Sequence, residues 1–542
     1  MSIMKSENKK SWLYYAAIAA LVVAELYLLH FLYKYINLQL NSDDASELVL
    51  AHLLAKQKRI ITPDWYYSTE IRFLNTNLVY AFMFLLFPHR GWHGIRIGSL
   101  FILHILLLLS IWYLCRQSKH KECFPFIALA LLMPFSADYY YVILEGAYYI
   151  PHVVISFVTI GIIFGVMRSK GWRRSLLMVL SMAIALLACM GGPRQLLILY
   201  LPMALCAVIL SAFEVRGKGF REYRKLGGFV FSLAAVLNLA AGCIGYLINT
   251  KFLSKAYHFM VWNGLSYKAF DWNSFLTVLN GFLGTFGYVS GPIGEYTATN
   301  LIAGIVFLMT VIAIVYAFKN RAVVSEEYFL LAAYYVCAVV IFLLLYSMTD
   351  MAYLSRYNVP VAVISYVLIA MWIAEKPWTT GRKDSIFAMY AGLCLLSGIL
   401  SYHFMLASFS ETDFSNENEK VSQVVLNKGY PTGYATFWHA NIITEFSNGR
   451  VDMYDFGGNA NQDLDLSECR NVNDTYKWLQ LVSHDTKKPE GKVFLLLSAN
   501  EYDTCVWKEE LTDDSLIYYS DNLRAYGFDS WNDMQRTLGN GE

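Results

Sequence analysis

A helix needs about 20 mostly apolar residues to cross a bilayer, and this chain supplies such runs repeatedly. They lie at 12–33, 95–115, 124–144, 153–167, 175–190, 196–213, 228–250, 301–318, 328–348, 359–375 and 385–405. Only 16% of the 542 residues are charged, against about 25% in a soluble globular chain. The pattern predicts an all-α polytopic membrane protein of about eleven transmembrane helices over residues 1–405. Residues 406–542, where polar and apolar positions alternate, are expected to form an extracytoplasmic α/β domain. A formal net charge of +1 offers no basic face for nucleic acid. Lys5, Lys9 and Lys10 precede the first run without a small-residue cleavage pattern, which reads as a retained span.

A twelfth run, Phe73–Phe87, is short and opens on Asn75, Thr76 and Asn77. Loop charge decides its placement, because cytoplasmic loops carry excess Lys and Arg. If this run does not cross, every second loop is basic. Lys5, Lys9 and Lys10 come first, then Arg116, Lys119 and Lys121, then Arg168, Lys170, Arg173 and Arg174. Arg216, Lys218, Arg221, Arg224 and Lys225 follow, then Lys319 and Arg321, then Arg382 and Lys383. The run is therefore expected to lie on the outer surface, within a first outer loop of residues 34–94. The N-terminus is then cytoplasmic and the C-terminus extracytoplasmic.

With that sidedness the polar residues near span ends gather on the outer face: Asp43, Asp44, Asp138, Glu145, Arg194, Glu295, Asp350 and Arg356. Asp43 and Asp44 open an amphipathic segment with Leu48, Leu50, Leu53 and Leu54 on its apolar side. Two readings stand. Asp44 caps a helix over Ser46–Lys58 with Glu47 completing a capping box, or the pair does chemistry. Trp65-Tyr66-Tyr67 reads as an interfacial anchor. Glu145 sits in an apolar stretch that would raise its pKa. Arg194, on the glycine-rich turn Gly191–Gln195, and Arg356, beside Tyr357, suit forks for phosphate. The alternative for such arginines is snorkelling to lipid headgroups. The loop 251–300, with Trp262, Trp272 and several glycines, suits a mobile flap over lipid or sugar.

In the tail, Lys492–Leu497 has the length and bounds of a buried strand. Cys469 and Cys505 allow a disulfide if the tail is extracytoplasmic. Asn473-Asp474-Thr475 is a glycosylation sequon. Walker, G-x-G-x-x-G, H-E-x-x-H and G-x-S-x-G motifs are absent.

The arrangement resembles the GT-C glycosyltransferases, in particular protein O-mannosyltransferases and the aminoarabinose-transferase-like bacterial enzymes. The likeness rests on Asp43-Asp44 soon after the first span, on an acidic residue in the second outer loop (Asp138 or Glu145), and on Ser355-Arg356-Tyr357 with Pro360 opening a late span. Gly433–Asn441 is similar to tails of bacterial members. The resemblance implies a donor sugar on a polyprenyl phosphate, an aspartate of the first outer loop as base, and an acceptor that is glycan, protein or lipid. No nucleotide is required, and a divalent metal stays open as a cofactor, although a spaced DxD is missing from the second outer loop. The expected reaction is inverting transfer. Asp43 is the preferred base and Asp44 the cap or orienting group, with the reverse assignment open. Arg194, Arg356 and Tyr357 would hold the phosphate, and Asp138 or Glu145 the acceptor or sugar. The rival readings are a lipid-linked glycan polymerase or ligase, and a transporter or flippase. Against a transporter, no internal repeat is found and the acids lie at span ends.

Overall fold

The structure, a computed structural model, describes residues 11–71, 73–219, 222, 227–260, 266–290, 296–411, 415–458 and 464–539. Lys5, Lys9, Lys10, Arg221, Arg224, Lys225, Trp262 and Glu295 lie outside them. The chain divides into two compact units.

The first unit holds residues 1–30, 100–249 and 263–407. Among the described residues, ten helices are long and apolar enough to span a bilayer, from Trp12–Gln39 to Thr380–Ser410. An eleventh crossing is broken. The segment expected to run straight over 124–144 is two helical pieces, Lys121–Leu132 and Ala137–Glu145, at 97° to each other. Pro134 is the cause: it lacks an N–H and pushes Met133 out of the helical region, and Met133 is extended at ψ 134°. Ser136 then caps the second piece by accepting from the Tyr139 N–H.

Ion pairs show that the broken piece completes a crossing. The Arg168 guanidinium and the Lys119 ammonium both meet Glu327. His120 pairs with Glu375, Lys383 with Glu122, and Arg321 with Glu214. The Ser11 hydroxyl donates to Asp384 at 2.7 Å. The basic loops therefore meet at one end of the bundle. Residues 121 and 168 both lie there, so Lys121–Glu145 must leave that end for Ile150–Arg168 to return to it. Helix packing in this unit uses small residues. A Cβ at Gly245 would fall 2.2 Å from the Leu186 carbonyl oxygen, so only glycine lets helices Gly227–Ile248 and Trp172–Met190 approach this closely. The expected flap holds a helix, Trp272–Gly284, capped by Asp271. It ends near Gly287, whose φ of +98° and close approach to the Phe135 carbonyl both exclude a side chain.

One expectation fails inside the membrane. Not all acids lie at span ends, because Glu25 sits within helix Trp12–Gln39 and is buried. His104 Nδ1 lies 3.2 Å from its carboxylate, and His104 Nε2 lies 3.2 Å from the Leu144 carbonyl. A single acid among 28 residues leaves the run apolar on average, which is why run counting passed over it.

The second unit holds residues 31–99, 250–262 and 408–542. Helix Thr76–Leu86 has 11 residues, about 16 Å at 1.5 Å per residue, too short for a core of about 30 Å. Phe82, Leu85, Leu86 and Phe87 remain exposed on it. The Trp65-Tyr66-Tyr67 cluster is no surface anchor. All three rings are buried, and strand β1 (Trp65–Tyr66) pairs antiparallel with a strand of the tail, Gln480–Leu481. A five-stranded mixed sheet forms the rest of the tail. Its members are β2 (Thr432–Ala435), β3 (Asp452–Asp455), β5 (Val493–Ser498), β6 (Leu516–Tyr519) and β7 (Leu523–Phe528), β4 being the partner of β1. The order is β3-β2-β5-β7-β6, with β3, β2 and β5 parallel. The expected strand is β5 at the centre, and its Val493–Leu497 are fully buried. Helices Glu417–Asn427 and Phe437–Phe446 cover one face, through Val421, Val425, Ala440 and Ile443. Cys469 and Cys505 are thiols within the core of the other face.

Candidate functional site

In the second unit the first helix after the membrane runs over Ser42–Gln57, four residues earlier than the hydrophobic pattern alone suggests. Its N-cap is Asn41 and not Asp44. The Asn41 side chain accepts from the Asp44 N–H at 3.2 Å and donates to the Asp44 carboxyl at 2.5 Å. Asparagine caps as well as aspartate, so the cap-plus-three spacing is satisfied three residues upstream. Glu47 closes no capping box there; it accepts from the Thr76 hydroxyl.

Consecutive helix residues point about 100° apart, and here that separates the two acids. Asp43 is half-buried, while Asp44 is wholly enclosed. Asp44 Oδ1 has no hydrogen-bond partner among the described residues. Burial raises the Asp44 pKa to about 8 against the pull of Arg96. Next to it lies a pair that the sequence reading missed. Arg96 donates two bonds to Glu445, at 2.7 and 2.5 Å, and a third to the Asp44 carbonyl at 3.0 Å. Both side chains of the ion pair are buried, and the Arg96 guanidinium lies 5.7 Å from the Tyr80 ring. A lone arginine inside the apolar run 95–115 was the available signal.

Around the exposed side of that first turn are aromatic rings of the tail. The Ser42 hydroxyl donates to the Phe437 carbonyl. The Phe437 ring is 5.4 Å from Trp438 and 6.4 Å from Tyr476. Burial, then the charges of Asp455 and Asp43, push the Tyr476 phenol up, which puts Tyr476 in the field of Asp43.

The buried acid makes a prediction. The unfolded Asp44 loses its proton near pH 3.9, whereas the folded one keeps it to about pH 8. Between these values the folded state binds the extra proton, so this contribution is complete in acid and is lost as pH rises. Asp44→Asn mimics the neutral acid. Its melting temperature should gain on the wild type between about pH 4 and pH 8; a gap that stays constant over that range contradicts the assignment.

In the first unit, Arg194 stands on the turn between helix Trp172–Met190 and the helical segment from Leu196. Its guanidinium carbon is 4.6 Å from the Tyr149 ring centre and 5.5 Å from that of Tyr357. Gln195 Nε2 donates to the His152 carbonyl at 3.2 Å and fixes the turn. Cation–π contact uses the flat faces of a guanidinium, and its N–H edges define the plane in which an anion binds. The structure thus joins Arg194 to Tyr357 and adds Tyr149, which had not been singled out. Arg356 is half-buried in the turn Ser355–Asn358. Asp138 belongs to the first turn of Ala137–Tyr139, not to the end of a span. It adds to the burial that raises the Tyr353 phenol to about 12. Glu145 is fully buried at the end of the broken crossing. Among the described residues, no three His, Cys, Asp or Glu side chains group to hold a metal.

No family model matches the sequence, and no curated protein matches it. Solved structures do. ArnT from Cupriavidus metallidurans bound to undecaprenyl phosphate aligns with a TM-score of 0.58 at 12% identity, over 95% of this chain and 97% of that one. Its apo state gives 0.56 at 11% identity, over 95% and 98%. An oligosaccharyltransferase from Archaeoglobus fulgidus in complex with Zn and sulfate gives 0.45 at 13% identity, over 90% and 69%. The likeness to ArnT is one of fold.

Proposed function

We propose, for a chain with the GT-C membrane fold that it shares with ArnT, that it transfers a sugar from a polyprenyl-phosphate donor to an acceptor hydroxyl on the extracytoplasmic face. The observation that carries this reading is the different burial of Asp43 and Asp44. A half-buried carboxylate stands next to an enclosed acid whose pKa burial raises. Asp43 takes the acceptor proton as general base, and Asp44 with Asn41 fixes the helix turn that presents it. The acceptor oxygen attacks the anomeric carbon, the bond to the phosphate oxygen breaks, and transfer inverts the anomeric centre. Polyprenyl phosphate leaves with both bonding electrons.

Arg194 receives the phosphate by charge-assisted hydrogen bonds, its plane set by Tyr149 and Tyr357. Arg356 adds a second positive charge, and Asp138 and Glu145 orient sugar or acceptor. Excess basic charge at the loop end of the bundle supports reading that end as the cytoplasmic one.

The test is the lipid that purifies with the protein. Mass spectrometry should find a polyprenyl phosphate or its glycoside. Arg194→Lys, which keeps the charge but loses the planar fork, should carry about tenfold less, equal to about 1.4 kcal/mol. Absence of any polyprenyl lipid, or equal loading of the variant, contradicts the donor assignment.

The buried Glu25–His104 contact is the one observation that favours a transporter, since intramembrane ionisable groups mark pathways. Both histidine nitrogens are engaged, however, one by Glu25 and one by the Leu144 carbonyl. These contacts describe a clip between helices, although Glu25 Oε2 meets no hydrogen-bond partner among the described residues. Solute uptake by the protein in liposomes would reverse this judgement.

A further inference from the structure

The tail sheet carries a cavity lined by none of the residues given a role in the transfer step. It opens on the face opposite helices Glu417–Asn427 and Phe437–Phe446, where Tyr434 and Tyr454 project. Its volume is about 260 Å³, below the roughly 300–1,000 Å³ of sites for drug-sized ligands. We infer that it is a saccharide site holding one sugar ring.

The floor is aromatic, and its tilted and stacked rings are held by one another. The Tyr434 and Tyr454 rings are 5.1 Å apart, and the His484 ring stacks on Tyr454 at 4.1 Å and 20°. His484 is held at both nitrogens, by Gln480 Oε1 at 3.1 Å and Asp452 Oδ1 at 3.0 Å. The buried carboxylate of Asp455 also borders the cavity. The rim is exposed and polar, with Asn473, Thr486, Lys487 and Lys488. Lys488 leans over the Trp531 ring at 4.2 Å.

This combination suits a sugar. The C–H face of a pyranose packs on electron-rich aromatic faces. Its hydroxyls, each both donor and acceptor, match amide, carboxylate and ammonium groups placed around one ring. Lys487 and Lys488 are balanced by Asp455 and Asp485, so the lining has no net sign to select a polyanion. A lipid chain would meet too many polar atoms, which would lose their water without gaining partners.

A short path of contacts leads from the cavity toward the proposed base. Thr475 lines it, the ring of the next residue, Tyr476, is 6.4 Å from Phe437, and the Phe437 carbonyl accepts from Ser42, the neighbour of Asp43. An acceptor glycan seated by one ring here would present its neighbouring residue toward Asp43. Only this last step, why a sugar arrives, rests on the transferase reading; binding itself does not.

The experiment uses the full chain in lipid nanodiscs without donor lipid, which also avoids sugar-headed detergents. Saturation-transfer NMR is recorded with the methyl glycosides of mannose, galactose, N-acetylglucosamine and glucuronic acid. At least one should bind with a Kd near millimolar, about −4 kcal/mol. Thr486→Trp, which places a ring in the mouth from an exposed position, should weaken it about tenfold. Lys487→Ala, also exposed, should weaken it several-fold. No saturation with any of the four, or saturation untouched by both substitutions, overturns the inference. Because no turnover is needed, a chain that binds a glycoside but transfers nothing would refute the transferase reading and leave this one standing.

Discussion

Asp43→Asn lowers sugar transfer by about 10²–10⁴-fold, the usual range for removing a general base, and leaves the melting temperature unchanged. The assay is release of polyprenyl phosphate from a polyprenyl-phosphate sugar in membranes containing equal amounts of each variant. The size of the effect follows from chemistry: asparagine keeps the shape of the side chain and cannot take a proton. The small effect on stability follows from position. Asp43 is half-buried in the first turn of Ser42–Gln57, where a carboxylate gains only about 0.3–1 kcal/mol from the helix dipole. Asp44→Asn should do the reverse, changing the pH profile of melting while transfer stays within about tenfold. The two substitutions thus separate chemistry from folding at adjacent positions. Unchanged transfer in both variants removes the pair from the mechanism, and loss in Asp44→Asn alone exchanges their roles.

Arg96→Ala produces the largest loss of stability expected in the chain outside the apolar core. It leaves the Glu445 carboxylate buried without its bidentate partner, a fault that costs about 3–5 kcal/mol in other buried pairs. It also strips a donor from the Asp44 carbonyl. Burial already pushes the Glu445 pKa up against Arg96, so the widowed acid should take up a proton and recover part of the loss in acid. The paired change Arg96→Met with Glu445→Leu should recover most of it at all pH values, because apolar groups of similar volume replace buried ion pairs at little cost. Thermal inactivation in nanodiscs is the measurement, with the exposed Arg90→Ala as control. An Arg96→Ala loss no greater than that of Arg90→Ala contradicts the structural role given to the pair.

The legible and illegible parts of this protein divide by distance along the chain. Whether a segment crosses a bilayer depends on the mean polarity of about 20 neighbouring residues. Accordingly the spans, the short helix near Phe73–Phe87 and the central strand Val493–Ser498 could all be located from local pattern. Pro134 was visible too, but its result, a 97° break that still completes a crossing, needed the ion pairs among the basic loops to interpret. At Asn41 the local signal was present and was read three residues late, since Asn-x-x-Asp caps as Asp-x-x-Glu does.

By itself, then, the sequence determined a multi-span helical membrane protein with a polar α/β tail, and it marked Asp43-Asp44 and Arg194 as unusual. Tertiary structure alone decided which of the two aspartates is enclosed, that Arg96 meets Glu445 across 349 residues, that Trp65 and Tyr66 leave the surface to pair with Gln480 and Leu481, and that Arg194 lies against Tyr149 and Tyr357. The physical reason is the same in each case. Hydropathy and helix period are sums over neighbours, whereas burial of a charge and the partner that compensates it depend on segments brought together only by folding.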